Sequence, residues 1–184
     1  MRTRVRRARR STAASIFTAG TVAVLAAACT QTVGGDAERA RPSVPDPDRS
    51  YGYVDDRCGL LQDETVQEML EADTVTRPYS GAVCQYTLST PGGLIDVVYT
   101  WFESGALERE RDLVESRGAD VTDTVIVRHP AFLAQRPDNP AACAATAAAG
   151  PGVLSWWVQF RPQNGEDACA AAEKLLSATL SGDM

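Results

Sequence analysis

The chain has 184 residues, 18 of them basic and 24 acidic, for a formal net charge of −6. Six arginines fall in the first ten positions and every acid lies beyond residue 28, so the remainder carries 12 basic groups against 24 acidic ones, a net −12. That surface argues against nucleic acid as a partner and against adsorption to anionic lipid head groups, both of which demand basic groups.

The opening MRTRVRRARR holds no acid, and residues 11–28 hold no charge, with IFTAGTVAVLAAA as a short apolar core. A charged start, an apolar middle and small residues before a break form the layout of an export signal. Cys29 follows Ala26-Ala27-Ala28 directly, and residues 1–28 resemble a lipoprotein-type signal peptide. In such signals the cysteine becomes the first mature residue and its sulfur carries a diacylglycerol. Leu25 stands four residues before Cys29 rather than the usual three, with Ala26 in its place. Two alternatives stay open. The alanine run also suits an ordinary signal peptidase, which releases a secreted protein, and an uncleaved helix is the other, although 18 residues are short for a span. Arg6-Arg7 and Arg9-Arg10 lack the apolar residues of a twin-arginine signal close behind them, which favours the general secretion route. The expected address is the extracytoplasmic face of the cell membrane, held by an N-terminal lipid whose two acyl chains suffice for stable anchoring.

Residues 29–50 are expected to be a lipid-anchored flexible tether, because 30–50 hold few large apolar residues and many Gly, Pro, Asp and Arg. About 20 such residues span roughly 25 Å root-mean-square. Residues 51–184 then form a single extracytoplasmic domain of 134 residues, enough for one core.

CGLLQDETVQEMLEA predicts a helix capped by Asp63, with Val66, Met69 and Leu70 on one face. AVCQYTLS and LIDVVYTWF flank Pro91-Gly92-Gly93 as a hairpin, Ile95, Val97, Tyr99 and Trp101 alternating onto one side. GALERERDLVESRG predicts a charged helix ending at Gly118, its buried stripe made of Leu107, Val114 and Leu113. DVTDTVIV is β-branched and predicts a strand, which PAFLA continues or restarts after Pro130. AACAATAAA has helical propensity, but the turn at Gly150-Pro151-Gly152 and the alternating strand VLSWWVQF follow it, and a hairpin is expected instead. EDACAAAEKLLSATL closes the chain as a helix burying Ala168, Ala172, Leu175 and Leu176. The order predicts an α+β domain: a mostly antiparallel sheet of about five strands, with helices packed on one face.

Removing Cys29 from the five cysteines leaves Cys58, Cys84, Cys143 and Cys169. In an exported chain an even set reads as two disulfides, for which three pairings exist. Cys58–Cys84 and Cys143–Cys169, each 26 residues apart, are favoured because each ties a helix start to a neighbouring strand. No C-x-x-C spacing is present, so these cysteines read as structural.

DDRCGLLQDETVQEML, CQY, AACAATAAA and DACAAAEKLLSATL occur in that order, and together they resemble the landmarks of the actinobacterial lipoproteins grouped as domain of unknown function 3558. The resemblance covers about residues 55–180. Tyr86 stands where Trp is common in that family, and Arg128 to Ala131 replace a Gly-containing approach. The resemblance implies a cell-envelope location and a disulfide-stabilised α+β domain, and it carries no catalytic residues.

His129 is the chain's one histidine; beside Pro130 it is expected to be exposed and structural. With one histidine and the cysteines in bridges, neither a metal site nor a cofactor is expected. No G-x-S-x-G nucleophile elbow occurs. Asp55-Asp56 and Asp63-Glu64 are acid pairs of a kind that glycosidases use, but among 24 acids they read as caps and solvated surface. Trp156 and Trp157 must point to opposite faces of a strand. Trp156 shares the apolar parity, so Trp157 faces outward as the candidate binding surface, unless a loop or the tether covers it, for which Tyr51 and Tyr53 are candidates. The expected function is a non-catalytic envelope lipoprotein binding an unidentified protein partner or apolar envelope ligand. The alternative is an envelope hydrolase using paired carboxylates on glycan or ester. A passive stabiliser of a larger membrane complex differs from the first only in partner size.

Overall fold

The computed structural model describes residues 43–163 and 165–182. Its elements are α1 (Asp63–Met69), β1 (Thr74–Tyr79), β2 (Val83–Thr90), β3 (Gly93–Phe102), α2 (Leu107–Ser116), β4 (Asp120–Ile126), β5 (His129–Arg136), β6 (Asn139–Ala149), β7 (Gly152–Arg161) and α3 (Ala168–Ser181). The strands form one sheet in the order β1-β2-β3-β7-β6-β5-β4, every neighbouring pair antiparallel. Two meanders, β1 to β3 and β4 to β7, meet where β3 pairs with β7. The architecture is therefore α+β with seven strands rather than about five.

Two features account for the difference. Thr74–Tyr79 contains Pro78 and gives little strand signal, yet it forms the edge strand β1; an edge tolerates a residue without an N–H. The run from Asp120 to Arg136 is a hairpin rather than one strand with a break, because Val127 and Arg128 both take left-handed conformations, with φ of 48° and 66°. Neither Gly nor Asn announces that turn.

The strand parity defines two faces. On one, Trp156, Tyr99 and Ala145 lie in register and α3 covers them, the Trp156 indole N–H donating to Thr179 Oγ1 at 2.9 Å. Asp167 caps α3, accepting from the N–H groups of Cys169 and Ala170. The opposite face carries Ser155, Thr146, Phe132 and Asp123 in register. Arg111 of α2 donates to Asp123 at 2.9 Å, which places α2 on that second face. The helices therefore lie on both faces, not on one. The crossover from central β3 to edge β4 has to pass over the sheet, and α3 already occupies the first face. No residue of α2 is fully buried, and Leu113 is 40 % exposed rather than part of a core stripe. α1 starts after Gln62 with no side-chain cap, so Asp63 is its first residue rather than its cap.

The core lies between α3, α1 and the first face, with Trp156, Tyr51, Tyr86 and Tyr99 its largest fully buried side chains. β6 is a strand despite its alanines, because it runs inside the sheet and is buried on both faces along most of its length. Residues 46–51, whose first part was expected to belong to the tether, pack against the domain. Tyr51 donates its hydroxyl to Asp46, Arg49 donates to the Gly182 carbonyl, and Tyr99 donates to the Tyr51 carbonyl. At Gly150 (φ 50°) a Cβ would stand 2.0 Å from the Arg49 carbonyl oxygen, so only glycine admits this approach. The domain thus begins before Tyr51.

Candidate functional site

Strand alternation sends Trp157 to the face opposite the α3 core, where its register neighbours are Val98 on β3 and Ala144 on β6. Ala144 in turn pairs with Ala134 of β5. Three strands thus bring one indole and a floor of methyl groups to the same patch. Because alanine fills so little space, a cleft of about 240 Å³ remains, lined by Trp157, Ala134, Ala142, Arg136 and Asn139. Arg136 ends β5 and Asn139 opens β6, and Arg136 is steered by Asp138 in the turn between them, to which it donates at 2.6 Å. The result is an aromatic wall, an apolar floor and two polar side chains at the rim. Such a combination takes up a partly apolar group and orients it through a few hydrogen bonds.

Trp157 is half-buried, whereas Trp156 is fully buried. The aromatic residues expected as covers lie elsewhere. Tyr51 packs on Trp101 at 5.7 Å between ring centroids, and the Tyr53 ring carries the Arg77 guanidinium at 5.6 Å. Val98 was legible from the alternation of β3, since it lies opposite in parity to Val97. Arg136 and Asn139 carry no periodic signal, and only the register brings them beside Trp157.

The family model for proteins of unknown function called DUF3558 matches residues 24–181. The chain belongs to that family. No curated protein and no solved structure matches this DUF3558 chain.

The remaining candidates fall at other places in this DUF3558 domain. Cys58 is bonded to Cys84 and Cys143 to Cys169, the pairing favoured because each ties a helix start to a neighbouring strand. Cys29 and the signal segment lie outside the described residues. His129 is 2 % exposed, not exposed as expected: Nδ1 lies 2.9 Å from the Ala148 carbonyl oxygen and Nε2 lies 3.7 Å from Asp46 Oδ1. It links the N-terminal arm to β6. Among the described residues, no group of three or more His, Cys, Asp or Glu is placed to hold a metal, and no helix is long and apolar enough to cross a membrane.

The two acid pairs meet at Arg77. Its guanidinium donates to Asp56 at 2.5 Å and lies 3.5 Å from Asp63. The Tyr53 hydroxyl, bonded to Asp56 at 2.6 Å, and then Arg77 hold the Asp56 carboxyl below the ordinary carboxylate range. Burial pushes the Asp63 carboxyl up, and Arg77 opposes that rise. Arg77 fills the space between the two carboxylates, so the cluster ties the loop around Cys58 to β1.

Proposed function

We propose that this protein is a lipid-anchored component of the outer face of the cell membrane that binds an envelope ligand or a partner protein without transforming it, with the Trp157 cleft as its binding surface. The cleft is the observation that carries the reading: strand parity turns the Trp157 indole away from the α3 core, and the Ala134 and Ala142 methyls leave room beside it. Support for the address comes from the sequence, in which Cys29 follows a charged start and an apolar run. A carboxylate hydrolase is the alternative, and its nearest acid pair, Asp56 and Asp63, has Arg77 between the carboxylates.

The test is native mass spectrometry of the full-length protein extracted gently from its own membranes, beside a denatured aliquot. The denatured mass is expected to correspond to a chain beginning at a diacylated Cys29 with the other four cysteines oxidised; an unmodified start removes the anchor. In the native run, a species bound to the wild type is expected to be lost in Trp157→Ala while the melting temperature holds. Trp156→Ala, by contrast, is expected to cost about 3–5 kcal/mol of stability. A Trp157→Ala loss as large as that of Trp156→Ala would assign Trp157 to the core and remove the site.

A further inference from the structure

The sheet has two edges, and they are built differently. β1 is six residues long, contains Pro78, loses register between Thr76 and Tyr79, and has α1 beside it. Proline and broken register are devices by which proteins close an edge to further pairing. β4 has neither: its seven residues contain no proline and no basic side chain, and they stay in unbroken register with β5 from Asp120↔Gln135 to Ile126↔His129.

The turn between β4 and β5 determines which backbone groups point outward. With Val127 and Arg128 both left-handed, the loop is a two-residue type I′ turn closed by Ile126 and His129. The closing pair exchanges both its hydrogen bonds, and bonded and non-bonded pairs alternate along an antiparallel ladder. Thr124, Thr122 and Asp120 therefore bond to β5, while Val121, Asp123 and Val125 turn their N–H and C=O groups to the open side. No described strand pairs there.

The side chains of those same three residues share the α2 face. Val125 is 68 % exposed, more than any other described large apolar residue. Asp123, between the two valines, is 70 % exposed and receives Arg111. The adjoining α2 carries Glu108, Glu110, Asp112 and Glu115 against Arg109 and Arg111. Open backbone groups, two β-branched side chains and an acidic surround together specify an occupant. Pairing with a second copy of this chain is disfavoured in the register centred on the strand, because it sets Asp123 against itself, and like charges directly opposite are repulsive.

We infer that β4 is a strand-addition site: an extended basic segment of another protein pairs with it as an eighth strand. Apolar side chains of that segment lie against Val121 and Val125, and a lysine or arginine lies beside Asp123. This surface lies on the same face of the sheet as the Trp157 cleft and borders it at Val121, which pairs with Ala134 of the cleft floor.

The probe is a blocked peptide, Thr-Val-Thr-Lys-Thr-Val-Thr, titrated into the isotope-labelled full-length protein and followed by backbone amide NMR. Shifts and slowed hydrogen exchange are expected at Val121, Asp123 and Val125. Replacing the lysine by glutamate, or N-methylating the valines and the lysine, is expected to weaken binding by about tenfold or more. Val125→Pro removes one outward N–H while leaving the β5 ladder intact and is expected to abolish binding; Val125→Thr, which keeps that N–H, is expected to retain it. The inference is overturned by an absence of binding, by equal binding of the glutamate or N-methylated peptide, by shifts centred on other residues, or by self-association through β4.

Discussion

Trp156 and Trp157 are chemically identical neighbours with opposite surroundings. The pleat decides this: one indole enters the α3 core and donates to Thr179, and the other lies over alanine methyls on the far side. Arg77 illustrates how charge is used at the same scale. It is shared by Asp56, whose carboxyl it helps hold low, and Asp63, whose carboxyl burial pushes up. A depressed carboxyl contributes stability above its unfolded-state value, and that contribution is lost as the pH falls through the folded-state value. Asp56→Asn is therefore expected to lower the melting temperature near neutral pH and to converge with wild type in acid, once the pH has fallen below the depressed folded-state value. Asp63 has the opposite sign, since its protonation in acid relieves the cost of burial, and it persists in the variant as a shallow opposing slope. Thermal melts across pH decide the matter; parallel curves for the two proteins would show that Asp56 plays no such part. Residue chemistry was largely legible beforehand. The exception was His129, whose burial follows from contacts with Asp46 and Ala148, remote in sequence.

At the scale of elements, the β4–β5 hairpin turns on Val127 and Arg128, two residues that resist the left-handed region they occupy. The β-branched Val127 resists it most. Replacing the pair by Asn-Gly is expected to raise stability by about 1 kcal/mol or more, because both residues then suit a type I′ turn. A lower melting temperature for that variant would mean that the Val127 and Arg128 side chains make contacts worth more than the strain. The same turn explains why the sequence suggested one continuous or restarted strand: the usual punctuation is missing. β1 escaped notice for a related reason, Pro78 being acceptable only because β1 is an edge. In contrast, Ile95, Val97, Tyr99 and Trp101 alternate so regularly that β3 was evident, and all four are buried. The strand state of alanine-rich β6 followed from its turn and its partner rather than from its own propensity.

At the scale of the whole described domain, the two disulfides and the arm before Tyr51 are among the ties that hold distant pieces together. Cys58–Cys84 joins the loop before α1 to β2, and Cys143–Cys169 joins β6 to α3. The arm is the last of these: Asp46, Arg49 and Tyr51 connect its backbone and side chains to His129, Gly182 and Tyr99. A chain beginning at residue 51 is expected to be less stable than one beginning at residue 43 by about 2 kcal/mol, the scale of losing bonds to charged groups. Equal melting temperatures for the two chains would show that the arm merely rests on the domain.

The sequence by itself determined the charge balance, the amphipathic strands and helices, the cysteine framework and the outward parity of Trp157. Each of these depends on neighbours within a few positions or on counts along the chain. Tertiary structure alone decided that α2 crosses the face opposite α3, that β3 and β7 join the two meanders, that Arg136 and Asn139 stand beside Trp157, and that β4 is an edge of the sheet among the described residues. These depend on register between strands far apart in sequence, and local alternation states which way a side chain points but not which strand lies beside it.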